Sequence, residues 1–150
     1  MMTTRKLTQT GRVIHAIGAE QALTAKAGVL SDAPQPEGSE WTMATLAAHL
    51  HYGPVGAKRK SWPWMRMAFD ENIGHYRLLQ KAGIGRILKG RDTPRGVLMT
   101  IAIRMKGDHQ RMLTTLREPP LESSTIAAKG SSNPLIDTGA LRASHAWRVE

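Results

Sequence analysis

Apolar residues recur along this chain at helical spacing in two long stretches and at strand spacing in two short ones. In the first long stretch Met65, Phe69, Ile73, Tyr76, Leu79 or Gln80, Ile84 and Ile87 follow at three- and four-residue steps, the spacing of one helix face. Gly74, Gly83 and Gly85 weaken it by roughly 1 kcal/mol each relative to Ala and predict a break near Gly83. Gly90 and Asp92-Thr93-Pro94 punctuate next, with Pro94 suited to the first turn after an N-cap at Asp92 or Thr93. The second helix then carries Val97, Ile101, Met105, Met112 and Leu116 on one stripe, with Arg104, Asp108 and Arg111 on another face, and ends at Glu118-Pro119-Pro120.

Shorter elements fill the remainder. Residues 11–25 predict a short helix weakened by Gly18, and residues 26–30 a strand that stops at Ser31-Asp32-Ala33-Pro34. A loop covers 31–40. Thr42 is the expected N-cap of a helix over 43–51, and Gly53-Pro54 stops that helix and opens a second loop over 53–63. Downstream come a short helix over 124–129, a turn over 130–134 and a final alternating strand, His145–Val149, with Trp147 and Val149 on one side. There is no internal repeat and no low-complexity tract. At 150 residues and 16.5 kDa the chain predicts one domain, with 1–25 as a peripheral segment.

Charge changes this picture. The formal net charge is +9, and Arg77, Lys81, Arg86, Lys89, Arg91, Arg95, Arg104, Lys106, Arg111 and Arg117 lie in the two long helices and their connections, opposed there only by Asp92 and Asp108. Ten cations less two acids leaves +8 of the +9 in this stretch, which suits an acidic partner or nucleic acid as well as a solvated helix face. No apolar run approaches the roughly 18 residues of a membrane span. The polar start, with Arg5 and Lys6, lacks the apolar stretch of a signal peptide, so a soluble, cytoplasmically made protein with no membrane partner is expected.

Candidate chemistry is sparse. With no cysteine, disulfides and thiolate metal sites are excluded. His49 and His51 are two apart on a predicted helix and point about 200° apart, so they cannot grip one ion together. His109 lies four residues after Met105 on the apolar stripe, where a hydrogen-bonded interfacial histidine is expected, and His145 has no obvious partner. There is no G-x-S-x-G elbow and no phosphate loop, and 83–88 lacks the third glycine of a dinucleotide fingerprint. No cofactor and no enzymatic role are expected. Lys58-Arg59-Lys60-Ser61-Trp62-Pro63-Trp64 stands apart, with three cations beside two indoles, residue types enriched at interface hot spots. Its prolines and glycines predict an extended arm, so Lys58, Arg59, Lys60, Trp62 and Trp64, with His51, are candidates for contact with a partner or another subunit. Capping of the core by the two tryptophans is the alternative.

The last thirty residues carry a resemblance. Thr125-Ile-Ala-Ala-Lys-Gly130, Pro134-Leu135-Ile136-Asp137-Thr138-Gly139, then Leu141, Ser144, Trp147 and Val149 resemble the ending of neck and tail-completion proteins of tailed bacteriophages. Ala27-Gly28-Val29-Leu30, the small-residue stretch 43–53 and Trp62-Pro63-Trp64-Met65-Arg66 are similar to upstream parts of that family, in the same order. An acid is usual there in place of His51, and an arginine in place of Trp62. The motif also makes physical sense as a corner: Asp137 and Thr138 can bond nearby backbone, Gly139 tolerates the tight turn, and Leu135 and Leu141 anchor either side.

The resemblance implies an α+β fold, with a small antiparallel sheet of several strands packed against two long helices and joined by extended loops. It implies a virion protein that forms a ring, six-fold, at the head–tail junction or tail top. Its partners would be copies of itself, head-connector proteins and tail-tube or tail-terminator proteins. Passing DNA would meet Arg77, Lys81, Arg86, Lys89, Arg104 and Arg111 in the lumen through phosphate attraction alone. Two other readings compete: a free, sequence-nonspecific DNA-binding protein using the same helices, and a metal-dependent hydrolase using His49, His51 or His109.

Overall fold

A computed structural model describes residues 23–36, 38–53, 60–135 and 139–150. In chain order they form β1 (Ala25–Val29), α1 (Met43–Tyr52), α2 (Trp64–Leu88), α3 (Pro94–Thr115), α4 (Ser123–Lys129), α5 (Ala140–Ala143) and β2 (His145–Val149). The expected helix over 11–25 lies outside the described residues, apart from its last positions, which begin β1.

The chain is α+β, with a two-stranded antiparallel sheet packed against long helices. β1 and β2 pair from Ala25 opposite Val149 to Val29 opposite His145, and Thr24 and Glu150 extend the ladder by two backbone hydrogen bonds. A ribbon this small is marginal alone in water and needs a helix beneath it. Here α3 supplies that support, and the Arg95 guanidinium donates to the Val149 carbonyl at 2.9 Å. Gly28 lets the ribbon approach α2: a Cβ there would lie 3.1 Å from the Met65 sulfur, and its φ of 143° disfavours any side chain.

Helices α1 and α3 start where local chemistry places them. The Thr42 hydroxyl accepts from the Thr45 amide at 3.1 Å to cap α1, and the Thr93 hydroxyl accepts from the Gly96 amide at 3.1 Å to cap α3, with Pro94 at its first position. Asp92 shapes the turn before it, accepting from the Thr93 amide at 2.8 Å and from Arg86 Nε at 2.9 Å. Those donors hold its carboxyl below the usual carboxylate range, the Thr93 amide contributing most.

One expectation fails in α2. No break occurs near Gly83, because the helix runs unbroken for 25 residues. Gly83 instead marks a close approach of the two long helices, where a Cβ would fall 2.4 and 2.6 Å from the two Val97 methyl carbons. Close packing against α3 outweighs the propensity cost of the glycine. The apolar residues at helical spacing divide, with Tyr76 buried and Met65 packed against the core. Trp64, Ala68, Tyr76 and Gly83 are buried, while Phe69 and Ile84 stand 38% and 48% exposed.

The core gathers Met43 and Ala47 of α1, Trp64 and Ala68 of α2, Met112, Leu113 and Leu116 at the end of α3, and Leu135 and Leu141 of the C-terminal corner. Burying this apolar surface drives the assembly of the layers. Gly83→Ala is expected to lower stability by about 1–2 kcal/mol: the methyl overpacks Val97, offsetting a helix-propensity gain near 1 kcal/mol. Thermal melts of Gly83→Ala with and without Val97→Ala check this. The double variant should recover part of the loss, and a stabilised single variant would contradict the packing.

Candidate functional site

Trp64 is fully buried at the first position of α2 and organises a nest of three histidines. Its indole Nε1 donates to His145 Nε2 at 3.0 Å. An imidazole nitrogen that accepts is unprotonated, so the His145 proton sits on Nδ1 and is donated to the Leu141 carbonyl at 2.9 Å. His51 of α1 meets the Trp64 ring edge-on at 5.1 Å, and His109 of α3 meets His145 at 6.1 Å. His51, His109 and His145 are each at least 94% buried, and Nδ1 of both His51 and His109 has no hydrogen-bond partner.

Four elements thus meet around the Trp64–His145 pair. This corrects the reading of Trp64 and His51 as contacts for another subunit: both are spent inside the fold. Residues 60–63 are non-helical as expected, but they do not stand off as an arm, because Lys60 and Trp62 are bound to residues 119–122. Trp62 is half-buried and donates from Nε1 to the Pro119 carbonyl at 2.8 Å. Lys60 is exposed and binds the Pro120 carbonyl at 2.7 Å and the Glu122 carboxylate at 2.9 Å, which holds Glu122 below its ordinary range. Lys58 and Arg59 lie outside the described residues, as do Asp137 and Thr138.

Burial of an imidazole disfavours its charged form. Desolvation lowers all three histidines, and His109 falls to about 4, with His145 and His51 adding repulsion and the Asp108 carboxylate opposing it. The nest is neutral at physiological pH. Among the described residues no three His, Asp or Glu side chains converge to hold a metal ion, and His49 turns away to pack on Trp41 with ring centres 4.9 Å apart.

The cations divide into two sets. Asp108, buried on α3, accepts from the Tyr76 hydroxyl at 3.0 Å and from Arg104 Nε at 3.0 Å, with Arg111 at 3.9 Å. Burial and the neighbouring carboxylate raise the Tyr76 phenol well above its ordinary range. Arg111 also reaches Glu71 at 4.0 Å, and Arg86 is bound to Asp92. Arg86, Arg104 and Arg111 therefore neutralise the fold's own acids. Arg77, Lys81 and Lys89 are exposed on α2 and at its end.

Between the exposed cations runs an apolar stripe. Phe69, Ile73, Gln80, Ile84 and Leu88 fall at four- and seven-residue steps on one side of α2; Phe69, Ile84 and Leu88 are 38%, 48% and 40% exposed, and Ile73 is half-buried. Periodicity finds these residues but cannot tell which of a helix's two apolar stripes the monomer covers. Elsewhere, Pro134, Leu135 and Leu141 line an open groove of about 810 Å³ with Leu46 and Leu50 of α1. Lys129 at that groove bonds the Asn133 and Pro134 carbonyls. Gly139, with φ of 81°, makes the turn into α5.

No family model, no curated protein and no solved structure matches the chain.

The nest sets a pH dependence. An unfolded histidine titrates near 6.5 and folded His109 near 4, so the unfolded chain binds more protons between those values. The stabilising contribution is full above about pH 6.5 and is lost as pH falls toward 4, by roughly 3 kcal/mol for His109 alone. Urea unfolding at pH 7 and pH 5 should show this loss, and His109→Leu should flatten it. An unchanged pH profile in His109→Leu would contradict the assignment.

Proposed function

We propose that this chain is a non-enzymatic structural subunit whose uncovered α2 face joins it to other polypeptides within a ring assembly at the head–tail junction or tail top of a tailed-bacteriophage particle. The observation that carries this reading is the stripe on α2. A monomer that buries Trp64, Ala68 and Tyr76 leaves Phe69, Ile84 and Leu88 in water at regular helical spacing, flanked by cations. Surfaces of that kind mark contact sites between polypeptides. Three of its histidines, by contrast, are spent on the core, where His145 satisfies the Trp64 indole, His51 packs on Trp64 and His109 packs on His145. The order of the sequence motifs, from Ala27-Gly28 through Trp62-Pro63-Trp64 to Pro134-Leu135, supports the tail-completion assignment and the partners it brings: further copies, head-connector proteins and tail-tube or tail-terminator proteins.

A second reading is favoured by the charge. Arg77, Lys81 and Lys89 are exposed on one helix, and they suit phosphate contact, either along DNA passing through a ring or as a free DNA-binding protein. Arg104 and Arg111 are poor probes of it, because reversing either charge strips a partner from buried Asp108.

Electron microscopy of the concentrated protein, and of particles containing it, should show closed rings at the junction. A protein absent from particles that never forms rings contradicts the proposal. Under the ring reading Arg77→Glu with Lys81→Glu leaves ring formation intact, whereas a free DNA-binding protein loses its duplex affinity with the same pair.

A further inference from the structure

The α2 stripe reads nearly the same in both directions. Phe69 and Leu88 are its ends, Ile73 and Ile84 stand four residues inside them, and Arg77 and Gln80 flank the middle. A second α2 laid antiparallel across the midpoint of these residues sets Phe69 against Leu88 of the other copy, Ile73 against Ile84, and Arg77 against Gln80. Each apolar side chain meets another, and the Gln80 carboxamide offers an oxygen to the guanidinium. Near the flank Asp70, exposed and only loosely held by Arg66 at 3.4 Å, comes within two residues, about 3 Å along the axis, of exposed Lys89. A parallel pairing would set Asp70 on Asp70 and Lys81 on Lys81.

We infer that α2 is a two-fold contact, in which a second copy of this chain packs antiparallel against the Phe69–Leu88 stripe. A surface that meets itself about a two-fold axis must be self-complementary, and this stripe is. The inference rests on the assembly reading for the stripe being a contact, and adds what meets it and in which direction. A two-fold contact does not close a ring by itself. It joins two subunits or two rings face to face, while a different surface carries the repeat around the ring.

The helix is about 37 Å long, so the pair buries an area near the small end of specific interfaces, roughly 1,200 Å². With +9 on each copy, long-range repulsion opposes association. Added salt screens that repulsion, so the dimer strengthens with salt while any phosphate contact weakens.

The chain has no cysteine, which makes directed crosslinking clean. Ile73→Cys mixed with Ile84→Cys should yield a disulfide-linked pair on mild oxidation, while either variant alone should yield much less. Sedimentation over a dilution series should show a monomer–dimer equilibrium that Ile84→Asp weakens at least about tenfold, equivalent to 1.4 kcal/mol. Ile84 is exposed, so circular dichroism should show the variant folded. Equal crosslinking of each single variant with itself, or no crosslinking, overturns the antiparallel pairing even if rings form by another surface. A protein monomeric at every concentration also overturns it, whether the stripe is then covered by residues 1–22 or by DNA, the latter recognised by duplex affinity that falls with salt.

Discussion

The hydrogen bond from the Trp64 indole to His145, at 3.0 Å, is the interaction on which the other contacts depend. It spans most of the described chain and joins the start of the long helix α2 to the last strand. Around it His51 brings in α1 at the Trp64 ring and His109 brings in α3 at His145, so four elements from distant parts of the sequence meet around one hydrogen-bonded pair. A buried indole N–H without an acceptor costs about 1–3 kcal/mol, and His145 removes that cost only while neutral. Its second nitrogen is committed to the Leu141 carbonyl, which fixes the tautomer and the ring orientation together. The core is therefore a polar arrangement inside an apolar shell, stable where imidazole carries no charge.

That arrangement decides which chemistry remains at the surface. With three histidines and the first residue of α2 committed inside, and with Arg86, Arg104 and Arg111 engaged with Asp92, Asp108 and Glu71, apolar side chains and cations are left facing outward on α2, beside Met99 and Ile103 exposed on α3. Gly83 brings α3 close against α2 at Val97, and the five-residue strands lie chiefly on α3, so part of the α2 surface stays uncovered.

Much of the fold was legible in the sequence, for local reasons. Thr42, and Thr93 with Pro94, announce their helices because capping is decided within four residues. Alternation over 145–149 announces the last strand because a pleat has period two. Gly83 misleads because propensity sees only the cost of glycine and not the neighbour that requires it. Pro63 reads correctly as a boundary: the loop expected to end there does so, and α2 begins at Trp64. The role of Trp64 was out of reach, since its partner lies 81 residues away and nothing near either residue signals the other. The residues of the α2 stripe were found by their spacing, but a period identifies a face without saying what covers it.

Cohesion between polypeptides through the uncovered face of α2 is the central claim, and side-chain footprinting tests it on the unaltered protein. Hydroxyl-radical labelling at low and high protein concentration should protect Phe69, Ile84 and Leu88 as concentration rises, while Met99, 41% exposed on α3, stays equally reactive as an internal reference. Reactivity at Phe69, Ile84 and Leu88 that does not change with concentration, or protection spread evenly over both helices, would contradict the account.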